Sequence, residues 1–248
     1  MSLTLATTSP GEPEIFASLQ GEGPSAGRPS IFLRLSRCNL ACRWCDTAYT
    51  WRFIGDSRPH VRDEAYERLD NQITMTAREA ALRVLVFPQN RLVITGGEPL
   101  LQAAPLATMV EMLKEARPGL HLEIETNGTV APPRALEVLV DQYNVSPKLS
   151  HSGNPAELAL IPERMRDWAM NPRAFFKFVV AEDEDVDEVE ALQELYRIVP
   201  ERLYVMPEGT ESNALRARAR WLAEAALKHG WRLSDRLHIH LYGDTRGT

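Results

Sequence analysis

The sequence predicts an α/β fold built on a parallel sheet. Short β-rich runs alternate with stretches of helical periodicity over about 200 residues, the pattern that right-handed crossovers wind into a parallel sheet. Polar and glycine-rich clusters follow one strand candidate after another, at the carboxyl ends where such sheets bind ligands. A length of 248 residues, with 44% hydrophobic and 25% charged side chains, fits one large globular domain spanning residues 1–248. Periodicity alone leaves open whether the sheet stays flat or curls into a full or partial barrel.

In chain order, PSIFLRL (29–35) alternates large apolar residues and leads into a loop that holds every cysteine. Thr76 to Glu79 spells a capping box, and AALRVLVF carries apolar residues at helical spacing until Pro88. RLVIT (91–95) reads as a buried strand ending in Gly96-Gly97, and PLATMVEMLKEARPG as an amphipathic helix. HLEIE (121–125) is a strand closed by the turn Asn127-Gly128; RALEVLVDQ is a helix, and YNVS a strand stopped by Pro147. After a proline-punctuated loop, FFKFVV (175–180) is a strand. The acidic run AEDEDVDEVE then places negative charge at the positive end of the helix containing LQELYRIV. RLYVM (202–206) is a strand, NALRARARWLAEAALKHG a long helix stopped by Gly230, and LHIHLYG a last strand. Five clusters share the carboxyl rim: the cysteine loop, Gly96-Gly97-Glu98-Pro99, Glu125-Thr126-Asn127-Gly128, Ser146-Pro147-Lys148 and Met206-Pro207-Glu208-Gly209.

A net charge of −6 disfavours nucleic acid as a partner, since nonspecific affinity for it comes from basic side chains. The start MSLTLATTSPGEPEIF has no basic-then-apolar signal pattern, and no apolar run approaches a membrane span, so a cytoplasmic protein without membrane contact is expected. Three cysteines, an odd number, do not form a disulfide framework. Cys38, Cys42 and Cys45 are spaced C-x3-C-x2-C, a loop able to wrap three thiolates around a compact metal centre. A zinc site would want a fourth ligand, and His60 is the nearest candidate; inert core thiols are the other alternative. An iron-sulfur cube held by three thiolates fits the set best, because it keeps one iron open for a ligand. Lys177 in FFKFVV must face water or line a wet barrel interior, and the interior is preferred.

C-x3-C-x2-C with Trp44 before the last cysteine, followed by a strand ending in Gly-Gly-Glu-Pro, resembles the radical S-adenosylmethionine superfamily. Within it, EIFASLQGEGPSAGRPSIFLRLSRCNLACRWCDTAYTW is similar nearly end to end to the 7-carboxy-7-deazaguanine synthases. The likeness continues through VITGGEPLLQ, EIETNG, NVSPKLS and LHIHLYGDTRG. It implies a partial, modified TIM-like (β/α) barrel that dimerises, and a lyase of queuosine and 7-deazapurine biosynthesis. The implied reaction converts 6-carboxy-5,6,7,8-tetrahydropterin to 7-carboxy-7-deazaguanine with loss of ammonia. A 4Fe-4S cluster on Cys38, Cys42 and Cys45 would cleave S-adenosyl-L-methionine with an electron from a flavodoxin- or ferredoxin-type reductant, and Thr47 would ligate Mg²⁺.

By the same resemblance Trp44, Cys45, Asp46, Gly97, Glu98, Ser146, Pro147, Lys148, Met206, Pro207, Glu208 and Gly209 would contact S-adenosylmethionine. Glycine lets backbone approach the ligand, and Glu98 offers an anionic acceptor for its ammonium. Leu19, Gln20, Gly21, Glu22, Arg34, Thr95, His238 and the carboxylate of Thr248 would line the pterin pocket. There Gln20 would supply an amide donor and acceptor, Glu22 would meet the amino groups of the pterin, and Arg34 would pair with a carboxylate or carbonyl. Taken without the resemblance, Arg34 is equally a structural ion pair and His238 a core or surface histidine. Two rivals remain: a glycyl-radical-enzyme activase, which would continue Cys-His-Asn where this chain has Cys45-Asp46-Thr47, and a zinc-binding module without catalysis.

Overall fold

The computed structural model describes residues 1–248. The chain opens with strands β1 (Ser2–Ser9), β2 (Glu12–Pro13), β3 (Ile15–Leu19) and β4 (Pro29–Leu35). It continues through α1 (Arg68–Asn71), β5 (Gln72–Thr76), α2 (Ala77–Leu85), β6 (Arg91–Gly96), α3 (Ala103–Ala116), β7 (His121–Thr126), α4 (Arg134–Glu137) and β8 (Gln142–Val145). The last part holds α5 (Ala156–Ala159), α6 (Pro162–Met170), β9 (Ala174–Val180), α7 (Asp183–Tyr196), β10 (Leu203–Pro207), α8 (Ser212–His229), β11 (Arg232–Leu233) and α9 (Leu237–Tyr242). No helix is long and apolar enough to cross a membrane.

Strands β4, β6, β7, β8, β9, β10 and β11 lie side by side in that order, every neighbouring pair parallel. On the far side of β4 the chain turns antiparallel: β3 pairs with Pro29 to Leu33 and β1 meets its end at Leu35. The two-residue period of the strands sorts side chains onto two faces. Ile31, Leu33, Leu35, Leu92, Ile94, Leu122, Ile124, Tyr143, Val145, Phe176, Phe178 and Val205 join one buried core with the helices. Their alternates, among them Arg34, Thr95, Glu123, Glu125, Asn144 and Lys177, point to the concave side and carry its polarity. The parallel strands from β4 to β9 therefore turn one face to packing and the other to the cavity side.

Strand β11 pairs only with β10, so the barrel is partial. Loop contacts bridge the gap: Gly23 N–H donates to Ser234 Oγ at 2.8 Å and Leu237 N–H to the carbonyl of Gly21 at 3.0 Å. Gly21 is required by that seam, since a Cβ there would sit 2.1 Å from His238 Nδ1.

Several elements match expectation, including the Thr76/Glu79 capping box of α2 and the left-handed Gly230 that ends α8. Others differ. LHIHLYG forms α9 and not a strand; only Ile239 of its apolar residues is buried, so no sheet face holds it. RALEVLVDQ is helical only over Arg134–Glu137, because Gln142 already belongs to buried β8. The proline-punctuated stretch contains α5 and α6, whose Pro162 starts a helix at a position where its missing N–H costs nothing. Strands β1 to β3 and β5 had no strand signal assigned; they are held by pairing to one another and to β4.

Candidate active site

The cysteine loop is tied to its neighbours by backbone hydrogen bonds. Arg37 N–H donates to Thr50 O, Arg43 N–H to Ser152 O, and Gly97 N–H to Leu35 O, each at 2.7–3.0 Å. Gly96 and Gly97 run so close to that loop that a Cβ on Gly97 would lie 2.0 Å from the carbonyl oxygen of Arg37. Cys38, Cys42 and Cys45 all face one cavity, without converging with other ligands on one ion-sized point.

Each sulfur receives an N–H. Leu40 N–H serves Cys38, Asn154 Nδ2 serves Cys42 at 3.2 Å, and Trp51 Nε1 serves Cys45 at 3.3 Å. Burial pushes the thiols up, Cys38 to about 12 and Cys45 to about 11, and raises Cys42 as well. A metal centre is what removes protons from thiols so placed, and N–H donors aimed at sulfur suit an iron-sulfur cluster. The donor set thus fits the cube. It does not enlist His60, whose Nε2 bonds to the carbonyl of Cys45 at 2.8 Å.

The cavity the cysteines face encloses about 1370 Å³, a figure that includes open solvent at its mouth. Trp44, Asp46, Thr47, Gly97, Ser146, Lys148, Met206, Pro207, Glu208 and Gly209 line it together with the three cysteines, and so do Leu19, Gln20, Gly21, Glu22, Arg34, Thr95, His238 and Thr248. Pro147 does not line it. Glu98 differs most from expectation: its side chain is fully buried behind the glycines, where the carboxylate accepts from Leu100 N–H, Asn127 N–H and Thr126 Oγ1 at 2.8–3.0 Å. Burial pushes it up to about 7 despite those donors. The carboxylate therefore braces the turn, and only backbone of this motif is offered to a ligand.

Gln20 also departs from expectation, because its amide is already used. Nε2 donates to Glu123 at 2.8 Å and Glu125 at 3.1 Å, and Oε1 accepts from Glu22 N–H at 3.2 Å. Glu22 is ion-paired with Lys177 and with Arg236 Nε, the latter at 3.0 Å. Burial opposes its charge, but Lys177, Arg236 and His238 outweigh burial and hold it well below the ordinary carboxylate range. Lys177 does line the interior, and its pairing is with Glu22, with Glu125 Oε1 at 4.0 Å, and not with a free cavity wall. Arg34 has both of its expected characters: Nε binds buried Glu14 at 2.8 Å while the side chain reaches the cavity. Glu125, expected from sequence only as part of a rim cluster, and Asn144 and Arg236, not singled out there, also line the cavity. For the first two, the signal lay in the alternation of HLEIE and YNVS, which put polar residues on one face. Arg236 precedes a segment misread as strand, and it reaches both Glu22 and Asp46.

Residues 33–180 match the model of the radical SAM superfamily. The 7-carboxy-7-deazaguanine synthase of Pyrobaculum aerophilum is 38% identical over 237 residues, covering 94% of this chain and 95% of the relative. That of Escherichia coli is 29% identical, covering 92% and 96%. Among solved structures, QueE from Escherichia coli is similar at a TM-score of 0.62 and 24% identity over 95% of both chains. Streptococcus suis SuiB bound to its precursor peptide reaches 0.52 at 12% identity, over 82% of this chain and 47% of that one. The two structural likenesses bear on the fold, the partial barrel.

Proposed function

The chain belongs to the radical S-adenosylmethionine superfamily and within it to the 7-carboxy-7-deazaguanine synthases, and from that premise we propose how its cavity works. The protein is a lyase that converts 6-carboxy-5,6,7,8-tetrahydropterin to 7-carboxy-7-deazaguanine with loss of ammonia, in queuosine and 7-deazapurine biosynthesis. The observation that carries the assignment is the sharing of one cavity by three N–H-supported thiols and by a wall of fixed charges.

When bound, the 4Fe-4S cluster with S-adenosylmethionine supplies one-electron chemistry able to activate a C–H bond. The residues of the chain then bind and orient. The backbone of Gly96 and Gly97, which lines the cavity, would meet the methionine end of the cofactor, with Lys148, over the Trp44 ring at 5.5 Å, able to meet its carboxylate. Arg34, fixed by Glu14, presents a cation to the substrate carboxylate. Glu125, which accepts from Thr95 Oγ1 at 2.9 Å, and Glu22 face the pterin as acceptors for its amino and ring N–H groups. Thr47, whose side chain lines the cavity, would hold Mg²⁺ through its hydroxyl. The enzyme works in the cytoplasm, and as its family resemblance implies it does so as a homodimer fed by a flavodoxin- or ferredoxin-type donor. No observation favours the activase or zinc readings.

The test is turnover. Protein reconstituted without oxygen to about four irons per chain, given the pterin, S-adenosylmethionine, Mg²⁺ and dithionite, is expected to release 7-carboxy-7-deazaguanine and return the S-adenosylmethionine. Absence of that product from protein carrying the cluster overturns the assignment. Thr47→Ala is expected to keep its iron while losing most of its response to Mg²⁺; an unchanged response removes Thr47 from the metal site.

A further inference from the structure

We propose that Asn154 and Trp51 are positioning residues that set the reduction potential of the cluster by donating N–H groups to the thiolates of Cys42 and Cys45. The proposal rests on the cluster assignment above and adds to it. Asn154 sits in the loop after β8, far along the chain from the cysteines, and its Nδ2 lies 3.2 Å from Cys42 Sγ. The neighbours fix which way the amide points. Oδ1 accepts the backbone N–H of Ala41 at 2.9 Å, inside the cysteine loop itself, and the other Nδ2 hydrogen reaches Ser152 Oγ at 3.1 Å. Flipping the amide would lose the Ala41 bond, since Ala41 N–H can only donate, and would aim a carbonyl oxygen at sulfur.

Trp51 can only donate. Its Nε1 lies 3.3 Å from Cys45 Sγ, and the buried ring is held by the guanidinium of Arg58 over its face at 4.6 Å and by the edge of His60. His60 is anchored in turn on the carbonyl of Cys45. Cys38 has no comparable side-chain donor, since Asn127 Nδ2 is 3.9 Å away and turned toward Asn39 Oδ1 at 3.0 Å. Two of the three thiolates are therefore supported from outside their own loop.

Reduction adds one electron from an external low-potential donor, with no bond formed or broken in the protein. Donors to sulfur favour the more negative state, so they raise the potential. They bring a centre that is hard to reduce closer to its donor.

The experiment is a redox titration of the anaerobically reconstituted protein, without substrate, followed by electron paramagnetic resonance. Trp51→Phe and Asn154→Ala are each expected to lower the reduced-to-oxidised ratio at fixed potential by about three- to tenfold, tenfold being 59 mV for one electron. Asn154→Asp is expected to lower it further, because it keeps an acceptor for Ala41 and turns an anion toward the thiolate. A purely structural role gives the opposite order, with Asp behaving as wild type and Ala disturbed. That order, or potentials unchanged in both Trp51→Phe and Asn154→Ala, overturns the proposal. Trp51→Phe retains the ring, so a potential is measured even where an Asn154 variant loses iron. Failure of the wild type to take up a cluster counts against the functional assignment, whereas a normal cluster with unshifted variants counts against this proposal alone.

Discussion

At Gly97 a single methyl group is too much, because it would enter the carbonyl of Arg37 at the entrance of the cysteine loop. Gly97→Ala is expected to push that loop outward, costing about 1–3 kcal/mol and lowering iron uptake; urea denaturation and iron content measure the two effects. Arg34 gives a second prediction. Fully buried Glu14 accepts from Arg34 Nε and from Tyr49 Oη, which lies 2.9 and 3.1 Å from its two oxygens, so Glu14→Gln leaves the guanidinium without its counter-charge. The expected result is a KM for the pterin raised about tenfold, worth about 1.4 kcal/mol, with a smaller change in kcat in steady-state assays. At this scale the sequence announced residue types better than their directions. The thiol spacing and the paired glycines were legible because each depends on local chain geometry. Glu98 and Gln20 were given ligand roles, and their side chains proved to be committed to Thr126, Asn127, Glu123 and Glu125, partners between 28 and 105 residues away.

Among the elements, α7 shows how the acidic run is used. Asp185, third in the helix, accepts the N–H groups of Ala181 and Glu182 at 2.7 and 3.1 Å and is paired with His151 Nδ1 at 2.7 Å. Burial works against its charge, but the His151 and backbone hydrogen bonds prevail and hold its pKa below the ordinary 3.8. A carboxyl depressed in the folded state stabilises fully above the unfolded value and loses that contribution as pH falls through the folded one. Asp185→Asn is therefore expected to cost about 1 kcal/mol at pH 7, with the gap to wild type narrowing below about pH 4; urea denaturation at the two pH values checks it. The parallel strands from β4 to β10 were readable because each buries apolar residues on its core face, whereas the exposed two-residue β11 was not. Helix α9 was not, because alternating LHIHLY fits a strand by period alone, and its fate is decided by Leu237 N–H, which bonds to Gly21 O across the seam.

Across the whole molecule, the interior charges form one system. Lys177 joins Glu22 and approaches Glu125, while Arg236 joins Glu22 and Asp46. Lys177→Met removes a cation that burial alone would discharge, and leaves anions uncompensated, so a loss of about 3–5 kcal/mol is expected. Adding Glu22→Gln should recover part of it, and denaturant titration of the single and double variants measures the recovery. The barrel's unpaired side carries a consequence for the order of events during folding. The contacts that shut it, Gly23 to Ser234 and Glu22 to Arg236, link positions 211 and 214 residues apart. Every parallel pairing between neighbouring strands joins much nearer segments, and loop-closure entropy makes the distant contacts the slowest to form. The ligand cavity is thus expected to be completed last, after the sheet behind it has assembled.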